Sequence, residues 1–87
     1  MSAKISEVFA RMLEEAYAEA PEKEIPVIVT ITAGSDVETL ARKGLKVQRV
    51  FENVPAVSGT LTATEVRELA EVEQVEKVEY DGEVHAL

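Results

Sequence analysis

Two short capping signals constrain this chain more than any other feature. Ser35 with Glu38, and Thr62 with Glu65, each place a hydroxyl three residues ahead of a carboxylate. In that pattern the two side chains satisfy each other's backbone amides at a helix N-terminus. Each signal follows a β-branched run. Ahead of the first lie residues 25–32, with Ile25, Val27, Val29 and Ile31 alternating onto one face, and a turn at Ala33-Gly34. Ahead of the second lie residues 56–61, where Gly59 predicts a bulge or a close backbone approach. The helix begun at Ser35 buries Val37, Leu40 and Ala41 and ends at Gly44, a residue suited to a left-handed cap. Residues 45–52 (Leu45, Val47, Val50, Phe51) predict a second strand, interrupted at residues 53–55. The helix begun at Thr62 turns Val66, Leu69 and Ala70 inward. Residues 75–80 form a last strand with Val78 and Tyr80 on one face, and Asp81-Gly82 predicts a turn.

From Ile25 onward the order is therefore β-α-β-β-α-β. This order predicts an α+β, ferredoxin-like fold, with a four-stranded antiparallel sheet and two helices on one of its faces. The opposite face is then bare, and a large bare face is an interface signal. Ahead of this unit, Ile5, Val8, Phe9, Met12, Leu13, Ala16, Tyr17 and Ala20 recur at helical spacing until Pro21. The division expected is an N-terminal amphipathic helix (1–20), a linker (21–24), the α+β domain (25–82) and a C-terminal tail (83–87). Glu14, Glu15 and Glu19 oppose the dipole of the first helix, so packing must hold it. Its stripe has three places to go: beside the other helices, over the bare sheet face, or against the same helix of a second copy.

The 87 residues suffice for one domain, and with no cysteine and only 5% aromatic residues the core is aliphatic and unstapled. A net charge of -8 argues against nucleic acid, which needs a basic stripe, and against an anionic membrane surface. No apolar run approaches the length of a membrane span. Nothing at the N-terminus reads as a signal peptide, so the chain as written is expected in the cytoplasm, or outside the cell if it is an excised pro-region. The parts of an active site are missing. The lone histidine, His85, sits two residues from the end, with no second group to orient it. The four glycines are scattered, and Asp81, Gly82 and Glu83 alone are too little for calcium. The expectation is a non-enzyme with no cofactor and no metal.

Three stretches carry a resemblance. Residues 50–61, VFENVPAVSGTL, resemble the central hairpin of subtilisin propeptides. Residues 75–81, VEKVEYD, resemble their last strand. Residues 84–87, VHAL, resemble the C-terminus released when the protease cleaves itself. The three lie in the family's order, and the resemblance extends from Ile25 to Leu87, most of the chain. The resemblance implies an inhibitor of subtilisin-like serine proteases. Its bare sheet face would dock on two parallel protease helices, and its tail would enter the substrate cleft as an extended strand. It implies that Leu87 fills S1, Ala86 S2, His85 S3 and Val84 S4, with the Leu87 carboxylate near the catalytic serine. It also implies that Glu79 and Asp81 cap the N-termini of the two helices, where unpaired amides and the macrodipole favour a carboxylate. The N-terminal helix has no counterpart in the family. Two other readings are kept: a propeptide acting as a folding chaperone for a cognate subtilisin, and a ferredoxin-like interaction or ligand-binding module that uses its sheet and N-terminal helix. The tail is dispensable in the last.

Overall fold

The computed structural model describes residues 4–82. The elements are α1 (Glu7–Glu19), β1 (Ile25–Ile31), α2 (Val37–Arg42), β2 (Lys46–Val50), β3 (Ala56–Leu61), α3 (Ala63–Ala70) and β4 (Val75–Tyr80). All neighbouring strands are antiparallel and the sheet order is β2-β3-β1-β4. This is the ferredoxin-like α+β arrangement expected from the order of elements, preceded by one further helix.

Alternation divides the sheet into two faces. In β1, Ile25, Val27, Val29 and Ile31 are buried while the residues between them are half-buried. The register carries this face across the sheet, pairing Val29 with Val57 on one side and with Val78 on the other. Leu40 of α2 and Val66 and Leu69 of α3 close over it in one hydrophobic cluster. Each large aliphatic side chain removed from water there contributes about 1.5–3 kcal/mol.

Phe9 and Leu13 of α1 belong to that same cluster. The Phe9 ring lies 6.0 Å from that of Tyr80, and Tyr80 pairs with Val27 on the helix-covered face. Arg67 of α3 sits 5.5 Å over the ring of Tyr17. Of the three placements open to the amphipathic stripe, α1 takes the first, alongside α3, and leaves the other sheet face uncovered. The helix starts at Glu7, later than its periodicity suggests. Ser6 caps it by accepting from the Phe9 amide at 3.2 Å, and Ile5 is drawn instead into a parallel bridge with Val78. The Val78 amide donates to the Lys4 carbonyl at 2.9 Å, so the chain start covers part of the outer edge of β4.

One local expectation needs correction. The cap of α2 is Asp36, whose carboxylate accepts from the Glu38 amide at 3.0 Å; Ser35 instead donates its own amide to Thr32 in the preceding turn. A charged carboxylate next to the helix N-terminus displaces the hydroxyl one residue earlier. The Asp81-Gly82 turn would include residue 83, which lies outside the described residues. Neither Asp81 nor Gly82 has a positive φ, and the Asp81 amide donates to the Pro26 carbonyl at 2.9 Å, which prolongs the β1–β4 ladder. The Thr62–Glu65 box is present in full.

Gly44 ends α2 at φ 111°, with its amide and that of Leu45 closing back onto Ala41 and Leu40. Gly59 serves a close approach. A Cβ there would run into the Lys46 carbonyl oxygen and lie 3.0 Å from Leu45 Cδ1. Opposite it, β2 slips register between Val47 and Arg49, the bulge anticipated at this glycine, though carried by the partner strand. Gly59→Ala should cost about 1–3 kcal/mol, because backbone blocks the new methyl. Urea unfolding would show it, and an unchanged midpoint would mean that β2 moves aside freely.

Candidate protein interface

The uncovered face is built from the residues between the core positions. On β1 these are Pro26, Ile28 and Thr30, and on β3 Ala56, Ser58 and Thr60. Their side chains are small or compact, and Ser58 is only 8% exposed. The face is therefore flat at its centre. Long side chains rise only along the flanking strands.

The register sets two rows across this face. One runs Arg49–Ser58–Ile28–Glu79. The other runs Lys46–Thr60–Pro26 and reaches Asp81 through its amide bond to Pro26. Glu79 and Asp81 thus project from one face, side by side, as their spacing of two requires. Glu79 is exposed and Asp81 half-buried. Lys77 approaches Glu79 at 3.6 Å, but both are more than half exposed and such a contact is weak. Neither acid is committed to the fold.

A tighter group sits at the β2 side. Glu24, immediately before β1, accepts from Lys46 Nζ and, at 2.6 Å, from the Thr60 hydroxyl. The Lys46 hydrogen bond, then that of Thr60, holds the Glu24 carboxyl below its ordinary pKa, and the same Glu24 bond raises the Lys46 ammonium. The Glu24 contribution to stability is therefore complete above the ordinary carboxylate range and lost as pH falls through the lowered value. The Lys46 contribution is complete below the ordinary lysine range and lost as pH rises through the raised value. Following the Glu24 side-chain carboxyl carbon by NMR should give a lower midpoint in the parent than in Lys46→Met; equal midpoints would show that the pair is not formed in solution.

No protein-family model and no curated protein matches this chain. Among the described residues no group of three or more His, Asp or Glu is arranged to hold a metal, and no helix is long and apolar enough to cross a membrane.

Of the residues singled out by sequence, Glu79 and Asp81 share the uncovered face. Val84, His85, Ala86 and Leu87 lie outside the described residues. In sequence they begin four positions after Tyr80, the last residue of β4, which carries Glu79 and is followed at once by Asp81. Sequence reasoning missed Arg49, Lys46, Ile28 and Ser58 as members of the same face. For Ile28 and Ser58 the period-2 alternation held the signal. For Arg49 the bulge removes it, because the extra residue shifts Arg49 out of simple alternation with Lys46.

Proposed function

We propose that the chain inhibits subtilisin-like serine proteases by docking its uncovered sheet face on the protease surface and passing residues 84–87 into the substrate cleft. The observation that supports this most is the open face itself. The N-terminal helix is absorbed into the helical layer, and a flat sheet surface remains with Glu79 and Asp81 at the exit of its last strand. A flat face of small side chains admits a helix closely. Two carboxylates on its border suit helix N-termini, whose amides lack partners. From there the chain runs on toward the cleft. Val84 and Leu87 then offer apolar groups to S4 and S1, with Ala86 small at S2 and His85 at S3.

The supporting geometry concerns the docking half, and the resemblance of residues 84–87 to propeptide tails supplies the other half. The test is a titration of a subtilisin-type protease with the intact chain against a chromogenic peptide substrate. Stoichiometric or competitive inhibition is the expected result. If no subtilisin tried is inhibited, the interaction-module alternative takes over. The chaperone alternative predicts in addition that the chain accelerates refolding of a denatured subtilisin lacking its own propeptide.

A further inference from the structure

The open face carries a third row beside the two already described. The Phe51 amide donates to the Ala56 carbonyl, so this row runs Phe51–Ala56–Thr30–Lys77. The register thus sets Lys46 and Arg49 at the β2 border, and Lys77, Glu79 and Asp81 at the β4 border. Glu24 joins the β2 side through its bonds to Lys46 and Thr60. These six groups balance, three cations to three anions. In a chain of net charge -8 such a neutral face lets two copies meet without the repulsion that the rest of the surface imposes. The balance is not local. The β2 border holds two cations and one anion, and the β4 border two anions and one cation.

We propose that two copies of the chain pack open face to open face about a two-fold axis parallel to the strands, with Arg49 of each copy facing Glu79 of the other. Such an axis lays each row on the same row of the second copy, reversed. Lys46 then faces Asp81, and Phe51 faces Lys77. Each border of the pair gathers three cations and three anions. A two-fold axis across the strands sets β2 on β2 and β4 on β4. Four cations then meet two anions at one border, and the reverse holds at the other. Charge complementarity therefore selects the first axis. The Arg49–Glu79 pairs carry that selection. Lys46 is already held by Glu24, which would come near Asp81 of the second copy, so this row contributes little. Lys77 stands 3.6 Å from Glu79, but both are more than half exposed, which leaves the Glu79 carboxylate room to accept from Arg49 as well. Arg49 makes no salt bridge among the described residues and lies 5.4 Å over the Phe51 ring. At the centre the compact Ala56, Ser58, Ile28 and Thr30 allow the usual sheet separation of about 10 Å. The rows span roughly 14 Å in each direction. The contact is thus smaller than the roughly 1,200 Å² of a stable interface, and the pair should form only toward millimolar concentration. One face cannot hold a second copy and a protease together, so this pair competes with the docking proposed above, yet each stands without the other.

The test is sedimentation equilibrium of the full chain from micromolar to millimolar concentration, with 15N amide shifts followed over the same range. A monomer–dimer equilibrium is expected, with concentration-dependent shifts at Ile28, Ser58 and Thr60 and not along α1 or α3. Arg49→Glu and Glu79→Arg should each raise the dissociation constant about tenfold, because every reversal occurs twice in the pair. The double exchange should return it to within about threefold of the parent, since the two changes act on one contact. About the axis across the strands the double exchange still sets like charge on like and restores nothing. Urea midpoints close to the parent's show that the variants fold, and the shift map of the parent needs no variant. A chain that stays monomeric at millimolar concentration overturns the proposal. So do concentration-dependent shifts confined to the helical layer, or a double exchange as weak as either single change. Any of these leaves protease inhibition standing, and a dimer with the expected pattern holds even if no subtilisin is inhibited.

Discussion

Phe9→Ala lowers the unfolding free energy by about 3–5 kcal/mol, the usual cost of emptying a buried phenylalanine site. For a chain of 87 residues this is a large part of the total, since domains of this size hold about 0.05–0.15 kcal/mol per residue. The effect is this large because Phe9 is 2% exposed and stands in the same cluster as Val27, Val66, Leu69 and Val78. Val8, one residue earlier and 73% exposed, provides the control. Val8→Ala should stay within about 0.5 kcal/mol of the parent. Urea unfolding followed by circular dichroism measures both. A Phe9→Ala midpoint equal to the parent's would show that the first helix is an appendage and not part of the core.

Removing residues 84–87 should raise the inhibition constant against a subtilisin at least about 100-fold while leaving the urea midpoint in place. In the proposed complex the docked sheet would hold the tail near the cleft at high effective concentration, so that body and tail would reinforce each other and either alone would bind weakly. Leu87→Ala, which shortens only the S1 group, should weaken inhibition about 30-fold, the equivalent of about 2 kcal/mol for a hot-spot anchor. The unchanged midpoint separates loss of contact from loss of fold. If the truncated chain inhibits as well as the intact one, the cleft assignments of Val84, His85, Ala86 and Leu87 are wrong, and the sheet face must block the enzyme by itself.

Local chemistry was readable from the residues, and chemistry between distant residues was not. The box at Thr62 and Glu65 needs only two side chains one helical turn apart, and it forms as its spacing predicts. At Ser35 the same pattern competes with Asp36, and charge at the helix end decides for the carboxylate. At Asp81 a non-local partner appears that the local sequence does not show: the Pro26 carbonyl, 55 positions earlier in the chain, accepts the Asp81 amide. Helical periodicity showed that α1 has a buried face but not what buries it, which depends on Tyr80 and α3 coming together in space. For the uncovered face, the pairing of Glu79 with Asp81 was legible because the two lie two positions apart at the end of one strand. The opposing bases on β2 were not, because only the register of three strand pairs lines Arg49 up with Glu79.

The bridge from Ile5 to Val78 also bears on how copies of the molecule can meet. A sheet with two open borders can be extended by its neighbours without limit, each copy adding to the last. Here the Lys4 carbonyl already takes the Val78 amide at the middle of one border. The other border is β2, where a bulge and two cationic side chains disfavour pairing with an identical strand. Growth through edge-to-edge pairing is therefore stopped at one side and discouraged at the other. An acidic, unstapled chain can thus keep a broad flat sheet surface uncovered without its borders becoming the seed of a fibre.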